Sequence, residues 1–187
     1  MKKGLIAVAV LGVLLVLVTG SGVSKWNELI SLDTQVQAAW AQVENQFQRR
    51  ADLIPNLMET VKGLAAQERG IIEAIANARA RIQTARDPQS RINAENELSS
   101  ALSRLLVIVE NYPQIKSDRG FLSLMDELAG TENRLSVERK RYNDAVQAYN
   151  LTVRRFPSNL VASFGGFQQK PFFEAPAAAR EAPRVRF

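Results

Sequence analysis

Between Leu29 and Phe47 the large apolar residues stand at Leu29, Leu32, Val36, Trp40, Val43 and Phe47, in steps of three and four that no strand reproduces. Such spacing gathers them on one stripe of a helix, narrow like the seam of a coiled coil. Leu53, Ile54, Leu57, Val61, Leu64, Ile71, Ile72, Ile75 and Ile82 extend a stripe of the same kind as far as Arg86. Ile92, Leu98, Leu102, Leu105 and Val109 form the next. Phe121, Leu124, Leu128, Leu135, Tyr142, Val146, Tyr149 and Val153 form the last, reaching about Arg155. The pattern predicts an all-α chain whose body is an antiparallel up-and-down four-helix bundle of long helices joined by short links.

The links are marked by local chemistry. Asp87 followed by Pro88 is a helix start, with an N-cap and then the residue best suited to the first helical position. Tyr112 before Pro113 is a stop, because a residue preceding proline disfavours helical geometry. QIKSDRG then connects to the last helix, with Ser117 or Asp118 available as its cap. Pro55 is ambiguous. If Asp52 caps a new helix, Pro55 falls in its first turn and the chain makes a tight hairpin there. If the helix runs on, Pro55 kinks it, and the unbroken apolar phase is explained. Cap chemistry favours the break, phase favours the kink, and the expectation leans to the break. Gly63 and Gly70 weaken the helix that follows, at about 1 kcal/mol each relative to alanine, which a close helix contact would offset.

In front of this body, Leu5 to Val18 are apolar apart from one glycine, and the run continues through TGSG to Val23. That is about 19 residues, or roughly 28 Å of helix, enough to cross a bilayer core. Lys2 and Lys3 ahead of an apolar run also describe a signal peptide, but no A-x-A site and no lipobox cysteine follows, which favours an uncleaved anchor. Lys25 follows together with Glu28 and Asp33, so the positive side is the N-terminal one. The positive-inside rule then puts the N-terminus in the cytoplasm and the bundle outside. Trp26 suits either the membrane interface or the first layer of the bundle core.

Composition excludes much chemistry. The chain contains no histidine and no cysteine, which removes the usual general base, the commonest transition-metal ligand, thiolate sites and disulfides. No serine elbow, P-loop or dinucleotide glycine fingerprint is present. Glu68, Glu95, Glu110, Glu132 and Arg139 stand close to the apolar seams. Facing carboxylates can build a di-iron site in a bundle, but that chemistry wants Glu-x-x-His pairs, so pairing with arginines is the expected role. A net charge of +5 raises the question of nucleic acid. The basic residues alternate with acidic ones along helices, and no nucleic-acid motif accompanies them, so they read as solvated helix faces.

After Phe156-Pro157 the composition shifts to SNLVASFGGFQQKPFFEA, with Phe164, Phe167, Phe172 and Phe173 spaced by Gly165, Gly166 and Pro171. Such aromatic density is expected to pack on the bundle or against a partner or membrane. Ala175 to Phe187 is rich in Ala, Pro and Arg with little to bury, and is expected to be disordered. The expected domains are an anchor at 1–23, a helical bundle at 24–156, a Phe-rich segment at 157–174 and a tail at 175–187.

RRADLIPNLMETVKG, VENYPQIKSDRGFLSLMDELAGTENRLSVERKRYNDAVQAYN, RRFPSNLVASFGGF and KPFFEA, in that order, resemble the LemA family over about Trp26 to Ala175. The resemblance implies a bacterial membrane protein with an N-terminal transmembrane helix, an up-and-down bundle with a separate helix at Pro55, and no established enzymatic activity or cofactor. One branch is associated with magnetosome membranes, and nothing in this chain points to that specialisation. Leu64 and Gln67 stand where the family often has tyrosine and histidine. A family topology with the short N-terminus outside opposes the charge count above.

The expected function is therefore a non-enzymatic, single-pass scaffold or interaction module of the cell envelope, in the bacterial inner membrane with its bundle on the periplasmic or exterior side. The alternative is a membrane-remodelling or lipid-surface protein, with the juxtamembrane helix and the Phe-rich segment on the bilayer. Arg49, Arg50, Asp52 and Pro55 are the first candidates for partner binding, and Tyr112, Pro113 and Asn143 the second. Capping or pairing within the bundle is the competing role for each. No catalytic residue, metal, cofactor, nucleic acid or small-molecule substrate is expected; the partner is an envelope protein or a second copy.

Overall fold

A proline at position 55 ought to end a helix, yet α1 runs unbroken from Lys2 to Thr60 with Pro55 inside it. The computed structural model describes residues 2–64 and 67–173. Among them every regular element is helical. After α1 come a single 3-10 turn (Lys62–Leu64), α2 (Arg69–Thr84), α3 (Pro88–Val109), the short α4 (Pro113–Lys116), α5 (Arg119–Arg154) and α6 (Ser158–Gly165).

The expected break at Asp52 is thus a correction. Asp52 caps nothing; it accepts a hydrogen bond from Gln48 Nε2 one turn earlier, at 2.7 Å. Pro55 has no amide hydrogen for the carbonyl of Ala51, and that carbonyl instead accepts from Arg79 Nε on α2, at 3.0 Å. A donor from another helix replaces the missing local one, so the helix survives its proline. The reversal comes later, after Thr60, and α2 begins at Arg69.

The other boundaries follow local chemistry. Asp87 accepts from the Ser90 amide at 2.8 Å and caps α3, with Pro88 at its first position. Asp118 accepts from the Phe121 amide at 2.9 Å and caps α5. The connection before it holds the one-turn helix α4.

The described residues fall into two compact units. Those within Met1–Trp40 and Arg141–Phe172 form the first, and those within Ala41–Lys140 together with Phe173 form the second. In the first, Trp40 packs on Tyr142 with ring centroids 5.3 Å apart. Lys170, which pairs with Asp33, lies over the Tyr149 ring at 5.3 Å, so Asp33 and Trp40 of α1 meet Tyr149 and Tyr142 of α5 in opposite chain order. The segment after α6 returns along both helices. Asn150 exchanges two 2.8 Å hydrogen bonds with the Lys170 backbone, Tyr142 donates to the Pro171 carbonyl at 3.0 Å, and Lys170 pairs with Asp33 at 2.6 Å.

In the second unit the core is aliphatic and carries the expected stripes: Val43, Phe47, Ile54, Leu57, Leu64, Ile75, Leu98, Leu105, Leu128 and Leu135 are all buried. Each such side chain contributes roughly 1.5–3 kcal/mol of burial.

The Phe-rich segment divides. Phe173 is buried beside Phe47, and Phe167 meets Trp26 edge-on at 5.3 Å. The residues before them form α6, which composition alone had not suggested. Gly165 allows the end of α6 to close on α1, since a Cβ there would lie 2.5 Å from the Trp26 ring, and Gly166 ends the helix at φ 71°. The expected disordered tail at 175–187 lies outside the described residues.

Candidate functional site

Arg50 sits on α1 three residues after Phe47 and shares its inward face, so the stripe that builds the core carries a guanidinium into it. Only 5% of Arg50 is exposed. Glu95, from the inward face of α3, is fully buried and accepts from Arg50 Nη1 at 2.6 Å. Glu132 of α5 takes a short contact from the same nitrogen, and Ser99 Oγ lies 3.0 Å from it. The second oxygen of Glu132 accepts from Arg139, about two helical turns further along α5, at 3.1 Å. Arg139 in turn lies over the ring of Phe173, 4.6 Å from its centroid. Two guanidinium groups and two carboxyl groups drawn from α1, α3 and α5 thus make one cluster.

Its electrostatics are those of a desolvated site. Burial raises the pKa of Glu95 to about 7, opposed by the charges of Arg50 and Arg139 and assisted by Glu132. Burial likewise lowers Arg139, against the pull of Glu132 and Glu95. Among the described residues no partner reaches Glu95 Oε2, Arg50 Nε, or Arg139 Nε and Nη2. The cluster is not sealed. A cleft of about 510 Å³ opens onto Arg50 and Glu132, walled by Ser99, Leu102, Leu106, Met125 and Leu128.

What this arrangement does chemically is hold helices in register. Removing one member of a buried pair leaves a charge unpaired, so any slip of α1 against α3 or α5 is penalised more steeply than an aliphatic seam would penalise it. A second ion pair, Arg91 with Glu44, repeats the α1 to α3 link six residues earlier on α1. Neither carboxylate of the cluster is arranged as a metal ligand, since each faces a guanidinium. Glu110 pairs with Lys116, and Glu68 accepts from Tyr112. Among the described residues no three carboxylates converge as metal ligands would.

The residues singled out from the sequence are dispersed. Arg50 is in the cluster, and its role there is pairing within the fold. Arg49, the next residue, points to the surface and meets Glu127 at 3.5 Å. Asp52 and Pro55 belong to the same helix, and both serve the local geometry of α1. Tyr112 and Pro113 start α4, with the Tyr112 hydroxyl within 3.3 Å of Gln67 and 3.4 Å of Glu68. Asn143 is half-buried on the part of α5 in the first unit. Glu95, Glu132 and Arg139 were legible as polar residues beside the seams. Their convergence on Arg50 was not, because the partners lie 45 and 82 residues away.

A family model described as the LemA family matches residues 39–187. Among curated proteins the chain is similar to magnetosome protein MamQ 2 of Paramagnetospirillum magneticum, with 25% identity over 82% of this chain and 66% of the relative. Magnetosome protein MamQ of Magnetospirillum gryphiswaldense is 24% identical with the same coverage. Protein LemA of Metamycoplasma hominis is 21% identical over 84% of this chain and 73% of its own length. The chain therefore spans 66% of the length of the magnetosome relatives.

Proposed function

The chain belongs to the LemA family, and on that premise we propose that it is a non-enzymatic helical scaffold or protein-interaction module, anchored in the inner membrane by α1 with its body outside. The observation that carries this reading is α1. Leu11, Val13, Leu14, Leu15, Val16, Leu17, Val18 and Val23 expose their side chains on the same helix whose Leu29, Val36, Val43, Phe47 and Leu57 supply core. It is the one described helix long and apolar enough to cross a membrane by length and composition. An exposed apolar sleeve of this length has no stable place in water, whereas a bilayer covers it.

In this reading α1, α2, α3 and α5 form an up-and-down bundle, and the charge cluster fixes its register. The side chains that face a partner are then the exposed ones. Arg49 and Asp52 on α1 and the Tyr112-Pro113 corner present charge and an aromatic edge to solvent, while Arg50 acts from inside by holding α1 in place.

Photo-crosslinking in intact cells tests this, with benzoylphenylalanine placed in turn at Arg49, Asp52, Tyr112 and Asn143. A discrete adduct at one or more positions, to another envelope protein or a second copy, supports the scaffold. No adduct at any of them, from a chain that stays with the membrane after alkaline carbonate washing, removes the interaction role of these residues. One observation favours a lipid-surface role as well, the exposure of Phe156 and Phe164.

A further inference from the structure

Phe164 is 93% exposed and Phe156 76%, values unusual for phenylalanine in a folded protein. They are not scattered. Leu160, 52% exposed, stands one turn before Phe164, so the two share one side of α6, and Phe156 lies in the turn that leads into it. The opposite side of α6 carries Ser158 and Ala162, both buried. The helix is therefore amphipathic in an inverted sense: its small residues face the protein and its large apolar residues face out. Packing explains the inward side. Nothing within the described residues explains the outward one.

Position identifies what covers it. The apolar run of α1 ends near Val23, and Trp26 is one turn further on. Gly165, the last residue of α6, lies against the Trp26 ring, and Phe167 packs on the same ring at 5.3 Å. Trp40 packs on Tyr142, and Lys170 joins Asp33 of α1 to the Tyr149 ring of α5, which brings the end of α5 to the same level. Charge agrees with position. Arg154 and Arg155, at the end of α5 immediately before the apolar face, are exposed and have no ion-pair partner among the described residues. An apolar face beside cations, one turn above a membrane-length helix, is the composition of a segment lying in a bilayer interface.

We propose that α6 is a second membrane contact: Phe156, Leu160 and Phe164 insert among the acyl chains at the interface of the bilayer that α1 crosses, with Arg154 and Arg155 at the phosphate level. This inference rests on the reading of α1 as the anchor. The contact gives the first unit two points of attachment, which fixes its tilt on the membrane in a way one helix does not.

The chain contains no cysteine, so single cysteines report without background. Full-length protein carrying Phe164→Cys, Val16→Cys or Gln147→Cys is labelled with bimane and reconstituted in phosphatidylcholine vesicles containing phosphatidylglycerol. Lipids spin-labelled at a shallow or a deep acyl position then quench by depth. The expected result is deep quenching at position 16, and shallow quenching at position 164 at least about twofold stronger than at 147. If position 16 is quenched while 164 is no more quenched than 147, the anchor stands and the α6 contact is overturned. A blue-shifted but unquenched label at 164 assigns the face to protein instead, and also overturns it. Absence of quenching at position 16 removes the anchor, and the inference with it. Circular dichroism of each labelled protein separates these outcomes from loss of fold.

Discussion

Arg79 Nε donates a 3.0 Å hydrogen bond to the carbonyl oxygen of Ala51, the acceptor that Pro55 leaves without its helical donor. Ala51 is 1% exposed, so water does not readily substitute. The continuity of α1 past its proline is thus linked to a side chain on α2.

If that link matters, Arg79→Met should destabilise the full-length protein in detergent by about 1–3 kcal/mol, the usual range for an unsatisfied buried group. In a Pro55→Ala background the restored amide supplies the donor, and the same Arg79→Met change should fall to within about 0.5 kcal/mol of neutral. Urea unfolding of the four proteins closes this double-mutant cycle. Equal losses in both backgrounds would show that Arg79 stabilises by packing alone.

The charge cluster makes a different demand, because its members stabilise only as a set. At pH 8, where Glu95 is mostly ionised, Arg50→Met should destabilise by about 3–5 kcal/mol, since it strands a buried carboxylate. Adding Glu95→Leu to Arg50→Met should recover most of that loss, as an apolar pair of similar volume fills the same space. Urea midpoints read the recovery. A double variant no better than the single one would mean that the pair contributes specific stability beyond avoiding an unpaired charge.

Glu95 also gives the fold a pH dependence of defined sign. Its ordinary pKa of 4.5 is raised to about 7 in the folded protein, chiefly by burial. Between these values the folded chain holds a proton that the unfolded chain has released. The stabilisation is complete below about pH 4.5 and is lost as pH rises through about 7, with an upper bound of about 3 kcal/mol. Unfolding midpoints between pH 5 and 8 should therefore fall more for the natural protein than for Glu95→Gln, which cannot titrate. Parallel pH profiles for the two would place the titration elsewhere.

Much of this fold is written locally and is legible from the sequence. Asp87-Pro88 carries the start of α3 in adjacent residues, Asp118 caps α5, and the stripes from Val43 to Phe47 and from Leu98 to Leu105 lie where periodicity puts the core. What was not legible depends on partners distant in sequence. Pro55 reads as a break because its compensating donor is 28 residues away. Arg50 reads as a candidate for partner binding or for pairing within the bundle, and the choice needs Glu95 and Glu132, which come from other helices. The helix α6 was hidden by Gly165 at its end, whose role becomes clear only against Trp26, and by Gly166, which ends it at φ 71°. The candidate site was half visible: Glu95, Glu132 and Arg139 stood out as polar residues beside apolar seams, without the residue that unites them.

If α1 is an anchor with the helical body outside the cell membrane, the side on which that body is found decides it most directly. Gln169→Cys and Lys2→Cys variants are each treated in intact cells with a membrane-impermeant maleimide, before and after permeabilisation. Gln169→Cys is expected to label in intact cells and Lys2→Cys only after permeabilisation. Labelling of Gln169→Cys only after permeabilisation would contradict it, and would place the body and its partners in the cytoplasm.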